Sequence, residues 1–177
     1  MEVVGYNYYD FKVNSQFKSS DPTFTTYFDS EVLRKQAELQ LTFADGSQSY
    51  FQPLQFHFHA PSEHTVNGKN YDLEVHFVHT VRGSDNIAGS VAQGEIPGAV
   101  IGIFFDVEEG GDYNNAFLDS LTAAIAAKAD TAKVAVRTFL AGVDMTEYWS
   151  YDGSLTTPPC SEGLKWTVVK QVQPISQ

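Results

Sequence analysis

Three of the five histidines, His57, His59 and His76, stand where strand periodicity can aim them at one point. Side chains of an extended strand alternate faces. In Gln55-Phe-His-Phe-His59 the two imidazoles therefore share a side with Gln55, while Phe56 and Phe58 point the other way. The same parity in Leu73-Glu-Val-His-Phe-Val-His79 sets Glu74, His76 and Val78 against Leu73, Val75 and Phe77. If the two strands are neighbours, three neutral imidazoles converge, a donor set that suits zinc and leaves its fourth position open for a reactive water. A single histidine on a strand is more often a satisfied polar residue, and His64 and His79 are read so. The trio reads differently, because an HxH pair in phase with a third histidine is hard to bury without a metal.

Ligating imidazoles need their second ring nitrogen held, which fixes the tautomer and raises basicity. Gln55 and Glu74 each precede a candidate ligand by two residues on the same strand face, so either could brace a neighbouring ring. Further along, Gly153-Ser-Leu-Thr-Thr-Pro-Pro-Cys-Ser-Glu-Gly163 offers hydroxyls on a loop stiffened by two prolines. The spacing His57-x-His59-x3-Glu63 also fits the first cupin motif, which would place Glu63 on a redox-active iron or manganese.

The elements that must position these groups read as mostly β. Tyr6 to Val13 is aromatic and β-prone, Ser19-Ser-Asp-Pro22 is a turn, and Ala37-Glu-Leu-Gln-Leu-Thr-Phe43 alternates until Ala44-Asp-Gly-Ser47 breaks it. Leu54 to His59 and Tyr71 to His79 are joined by a polar connection containing Asn67-Gly68, a hairpin signal that supports their being neighbours. Ala99-Val-Ile-Gly-Ile-Phe-Phe-Asp-Val107 is a continuous apolar run, as expected for a central strand buried on both faces. Asn114 to Lys128 carries Phe117, Leu118, Leu121, Ala124, Ile125 and Lys128 at helical spacing. Lys133 to Leu140 and Leu164 to Gln171 read as strands, with Tyr148-Trp-Ser-Tyr-Asp-Gly153 and the proline pair between them. The expected fold is one domain over 1–177, mainly β, on a central twisted and largely antiparallel sheet with a few peripheral helices.

With 177 residues, 42% hydrophobic and 19% charged, the chain is globular, and no apolar run approaches the ~20 residues of a membrane span. A net charge of −11 argues against nucleic acid as partner, since binding phosphates needs clustered Lys and Arg. Met1-Glu-Val-Val-Gly-Tyr lacks the basic stretch and apolar core of a cleavable signal. The single cysteine, Cys160, cannot close a disulfide within the chain. The compartment is left open, with an extracellular, periplasmic or organellar setting preferred to the cytosol.

QFHFHAPSEH, LEVHFVH, AVIGIFF, YWSYDGSLTTPPCSEG and LKWTVV, in that order and at that separation, strongly resemble the α-class carbonic anhydrases from about Leu39 onward. The resemblance implies that His57, His59 and His76 bind catalytic zinc, whose water is brought to a pKa of about 7 so that hydroxide can attack carbon dioxide and give bicarbonate. It implies that the Thr156 hydroxyl accepts from that hydroxide and donates to Glu63, orienting a lone pair, with Thr157 its polar neighbour. Val78, Val100, Leu155 and Trp166 match the apolar wall where carbon dioxide rests.

The chain also departs from the pattern. The family's histidine at the mouth of the site, which passes the proton to buffer, has no counterpart, as no histidine precedes His57. Proton transfer is then expected to be slow or to use another group. The family's tryptophan-rich opening, its QSPI-like motif and the cysteine matching Cys160 in a pair have no counterparts either. Relatives continue past the point matching Pro174-Ile-Ser-Gln177, and that stretch offers a backbone carbonyl to the second nitrogen of the histidine matching His59. The expectation is a domain shortened at both ends, with a second copy or a larger assembly covering the missing segments. Three readings follow: a zinc anhydrase acting on carbon dioxide and bicarbonate, an anhydrase-like binding or assembly module with weak or no turnover, and a cupin-like oxygenase. The first is preferred because silent relatives lose a zinc histidine and this chain keeps all three; GSLTTPPC has no place in the third.

Overall fold

The computed structural model describes residues 2–7, 11–15, 25–28, 37–84, 86–87, 96–113, 115–127 and 131–176. In chain order these form β1 (Glu2–Asn7), β2 (Phe11–Ser15), β3 (Thr26–Phe28), β4 (Glu38–Thr42), β5 (Gln48–His59), β6 (Leu73–Val81) and β7 (Gly98–Val107). There follow α1 (Ala116–Ala126), β8 (Thr131–Val134), α2 (Val136–Ala141), β9 (Tyr148–Ser154), β10 (Glu162–Val169) and β11 (Gln173–Ile175). One sheet runs β8-β2-β3-β5-β6-β7-β10-β9, with β4 on β5, β1 on β4 and β11 on β7. Pairings are antiparallel except for β7 with β10 and β7 with β11, so the sheet is mixed. No helix among the described residues is long and apolar enough to cross a membrane.

β5, β6 and β7 form the middle of the sheet, and their register decides which side chains meet. Phe56 faces Phe77 and Phe58 faces Val75 on one side, while His57 faces His76 and His59 faces Glu74 on the other. The phenylalanine side packs with Ile101, Ile103 and Phe105 of β7 and is covered by Phe117 and Leu121 of α1 and Phe139 and Leu140 of α2. Fully burying a side chain of this size stabilises by about 1.5–3 kcal/mol, and a slip of one residue would turn all of them outward and the histidines into the core. The hydrophobic face thus fixes the histidine face. Pro53 lies in β5 next to a register shift between Pro53 and Gln55, and a bulge is where a strand tolerates a residue with no N–H to donate.

β7 is buried from Gly98 to Phe105 and lies between β6 and β10, as its unbroken apolar run predicts. In the connection between β5 and β6, Val66 and Lys69 exchange backbone hydrogen bonds at 3.0 Å around Asn67 and Gly68, both with positive φ. The Asn-Gly signal thus builds a small turn inside the loop, and the two histidine strands pair beyond it. α1 begins where Asn115 accepts from the N–H groups of Phe117 and Leu118, and it buries Phe117, Leu121 and Ala124. Ile125, expected on the buried face, is 46% exposed, and Lys128 lies outside the described residues, as does the Ser19 to Pro22 turn.

Two expectations need correction. Lys133 to Leu140 is not one strand: β8 ends at Val134 and α2 follows, burying Val136, Phe139 and Leu140 at helical spacing. Tyr148 to Gly153 is not a connection but most of β9, antiparallel to β10. Its side chains are largely exposed, so the apolar alternation that marks a half-buried strand is missing.

Candidate metal centre

On the second face of the sheet, one ring nitrogen each from His57, His59 and His76 lies within 4.8 Å of the others. The ring centroids are 4.6 to 5.1 Å apart. His76 is 1% exposed and His59 9%, while His57 is half-buried, so the cluster opens to one side.

The hydrogen bonds around each ring select the nitrogen left for a metal. Gln55 Oε1 accepts from His57 Nδ1 at 2.9 Å, which leaves His57 Nε2. Glu74 Oε1 accepts from His76 Nε2 at 2.9 Å, which leaves His76 Nδ1. His59 Nε2 is buried with no hydrogen-bond partner among the described residues, and its Nδ1 lies 3.3 Å from Glu63 Oε1. A buried imidazole nitrogen without a partner is rare unless something is meant to bind it. Three imidazole nitrogens converging with one orphaned in this way fit zinc, a borderline-soft ion that takes imidazole readily.

Glu74, fully buried, is tied by four donors. Oε2 accepts from the backbone N–H groups of Glu63 and His64, each at 3.0 Å. Oε1 takes His76 Nε2 and also His64 Nδ1 at 2.6 Å. Burial alone would raise its pKa, but the hydrogen bonds from His64 and His76 outweigh it and hold the carboxylate well below its usual range. The His59 pKa is lowered as well, by burial first and then by the neighbouring His76, which for an imidazole favours the neutral, ligating form.

Two groups that the sequence reading left out complete this network. His64, read as an ordinary polar residue, bonds Glu74 through Nδ1 and the Tyr151 hydroxyl through Nε2 at 2.6 Å. Tyr151 is raised to about 12, by burial first and then by the Glu74 and Glu63 carboxylates. The adjacency of His64 to Glu63 in the loop that returns to β6 was the available signal; for Tyr151 there was none, because β9 was not recognised as a strand. Gly102, opposite His76 on β7, is a third: a Cβ there would sit 3.0 Å from Glu74 Oε1. His79 is buried, with its Nδ1 donating to the Ala99 carbonyl at 3.1 Å, away from the cluster.

Val78, Val100 and Trp166 are buried in one apolar cluster with Leu155 packed against it, and the Trp166 ring lies edge-on to His76 at 4.8 Å. Thr156 and Thr157 are exposed on the loop after β9, which is closed by Leu155 N–H to Ser161 O and Cys160 N–H to Thr157 O. The carboxylate of Glu63 faces His59 and does not join the group of converging donors, unlike a cupin ligand. Cys160 is exposed with a free thiol. A cavity of about 750 Å³ around Phe43, Tyr50 and Arg82 is lined by none of these residues.

The family model for eukaryotic-type carbonic anhydrases matches residues 5–177. A carbonic anhydrase of Klebsiella pneumoniae is 37% identical over 180 residues, covering 94% of this chain and 66% of its own length. Alpha carbonic anhydrase 4 of Arabidopsis thaliana is 38% identical over 126 residues, covering 71% of this chain and 42% of its own. The chain thus spans two thirds or less of these relatives. Among solved structures, the α-carbonic anhydrase of Thermovibrio ammonificans, in complex with the inhibitor sulfanilamide, superposes with a TM-score of 0.70 at 29% identity, covering 100% of this chain and 67% of that one. A family match across nearly the whole sequence, joined to a mixed sheet that gathers three histidines on one face, means that this chain belongs to the eukaryotic-type carbonic anhydrase family.

Proposed function

We propose that the protein catalyses the reversible, zinc-dependent hydration of carbon dioxide to bicarbonate and a proton. The observation that carries the reading is the buried, unpartnered Nε2 of His59 beside donor nitrogens of His57 and His76. Bound by these three, zinc would lower the pKa of a water to about 7, making hydroxide available near neutrality. Gln55 and Glu74 hold His57 and His76 in the tautomers that ligation needs. Carbon dioxide offers no charge to anchor, and the wall of Val78, Val100, Leu155 and Trp166 beside the histidines gives it an apolar resting place. Thr156, with Thr157 next to it, would supply the hydroxyl that orients the attacking oxygen, donating its own hydrogen bond to the Glu63 carboxylate oxygen not turned to His59.

Stopped-flow hydration of carbon dioxide in concentrated buffer tests the proposal, with an aromatic sulfonamide as inhibitor. Turnover abolished by sulfonamide is the expected result. Full zinc occupancy without turnover in that buffer would instead make the chain an anhydrase-like binding or assembly module.

A further inference from the structure

We propose that Ile87 is a specificity-determining residue, a side chain brought in from outside the sheet that sets how far the apolar pocket beside the metal centre extends; this deepens the carbon dioxide reading above and rests on it. On the metal face, the β6–β7 ladder runs from the rung of His76 and Gly102 to that of Val78 and Val100, and then to Thr80 and Gly98. Successive rungs on one face are about 7 Å apart. One rung beyond the wall of Val78 and Val100, further from the histidines, β7 therefore offers a position with no side chain.

Ile87 fills the space that Gly98 leaves. A Cβ at Gly98 would lie 2.4 Å from the His79 carbonyl oxygen and 2.6 Å from Ile87 Cδ1, closer than carbon atoms pack, so the isoleucine stands where a β7 side chain would. Ile87 is 7% exposed and belongs to the same apolar cluster as Val78, Val100, Leu164 and Trp166. A linear substrate resting on Val78 and Val100 then has the histidines at one end and Ile87 at the other.

A buried polar clamp holds the turn that leads to Ile87. Gln52 donates from Nε2 to the Ser84 carbonyl at 2.9 Å and accepts at Oε1 from the Gly83 N–H at 3.2 Å, while the Thr80 hydroxyl donates to the same carbonyl at 2.7 Å. Ser84 Oγ in turn donates to the Asn86 carbonyl at 2.8 Å. Gln52 and Thr80 are fully buried, so the turn cannot swing away without leaving their polar atoms unpaired out of reach of water. Gln52 reaches this face only through the irregularity in β5. Phe56 pairs with Phe77 on the core side, yet Gln52, four residues earlier, pairs with Thr80 on the metal side, because the register shift between Pro53 and Gln55 reverses the alternation. The bulge in β5 thus aims the amide that fixes the turn, and the turn delivers Ile87 to the end of the pocket.

The test compares wild type, Ile87→Val and Ile87→Ala in two ways. Xenon enters apolar space that water leaves empty, and methyl NMR of the metal-free proteins shows where it sits. Ile87→Ala is expected to bind xenon at least about 3-fold more tightly than wild type, with shifts centred on the methyls of Val78, Val100 and Leu164. The zinc-loaded proteins are then given carbonyl sulfide, which is linear like carbon dioxide but carries one larger terminal atom, and which water converts to carbon dioxide and hydrogen sulfide. Its kcat/KM relative to that of carbon dioxide should rise about 3- to 10-fold in Ile87→Ala and by less in Ile87→Val, below the roughly 10- to 200-fold of a whole methylene. Xenon shifts that miss Val78 and Val100, or a ratio equal to wild type in both variants, would overturn the proposal. Should Ile87→Ala not fold, Ile87→Val decides by the same signs at smaller size. A wild type that hydrates no carbon dioxide would defeat the functional reading instead, and the xenon arm would still decide whether Ile87 closes the pocket.

Discussion

His57 and His76 stand directly opposite each other in the β5–β6 ladder, with ring centroids 5.1 Å apart. Nothing but register brings them together, and the register is held by the phenylalanines on the reverse face. The next pair on the same face, His59 and Glu74, adds the third donor on one strand and the carboxylate that braces His76 on the other. Two alternate rungs of one ladder, on the same face of the sheet, thus supply all three imidazoles and the residue that aims one of them.

Glu74 and Gln55 brace different histidines, and their loss should differ in kind. Glu74→Ala leaves four donors without an acceptor, two of them imidazoles, in a fully buried position. It is expected to destabilise the metal-free protein by about 3–5 kcal/mol in urea unfolding and to weaken zinc binding by about 10- to 100-fold. Gln55→Ala releases a single bond at a half-buried site. It should weaken zinc binding about 10-fold and change stability by no more than about 1 kcal/mol. Equal stability losses in the two variants would contradict the role given to Glu74.

Gly102→Ala tests the same carboxylate from below. The added Cβ would meet Glu74 Oε1 at 3.0 Å and the His76 ring at 3.7 Å, so Glu74 must give way by a few tenths of an ångström. Zinc affinity measured by chelator competition should fall by up to about 10-fold, with the fold retained by circular dichroism. Wild-type affinity in this variant would show that Glu74 moves freely without disturbing His76.

His79 gives a pH dependence separate from the metal site. Burial pushes its pKa down to about 4 from an ordinary 6.5, against hydrogen bonds to the Ala99 and Phe77 backbone that favour the charge. The unfolded chain therefore binds the proton first as pH falls. The contribution of His79 is complete above about pH 6.5 and is lost towards pH 4, by about 3 kcal/mol in all. Urea unfolding of metal-free wild type and His79→Leu at intervals from pH 7 to 4 should show the wild type losing stability more steeply by that amount. Parallel curves would mean that His79 takes up its proton as readily in the folded protein as in the unfolded chain.

Thr156→Ala is expected to cut turnover by about 10²-fold or more, as for loss of one oriented hydrogen-bonding group in other active sites, while zinc content stays at the wild-type level. Unimpaired hydration by this variant would remove the orienting role from the proposal.

The histidine face was legible because strand parity is strict: once Phe56, Phe58, Val75 and Phe77 are assigned to a core, His57, His59 and His76 have no other side to occupy. α1 was legible for the same reason at a different period. β9 was not, since an edge strand with exposed side chains carries no hydrophobic alternation, and Asp152-Gly153 looks like a turn. α2 was misread because Val134 and Val136 suggest period two over too short a span, whereas Val136, Phe139 and Leu140 only reveal a helix once the core above β7 is known. The tyrosine, histidine and glycine around Glu74 come from three separate elements, and no local pattern links Tyr151 to His64 or Gly102 to Glu74. Such contacts depend on tertiary placement alone.

The most direct measurement is zinc content together with X-ray absorption at the zinc edge on the purified chain. One zinc per chain is predicted, bound by three imidazole nitrogens at about 2.0–2.1 Å and one further light atom from solvent that sulfonamide displaces. A fourth ligand from the protein, fewer than three imidazoles, or no bound zinc at all would contradict the account.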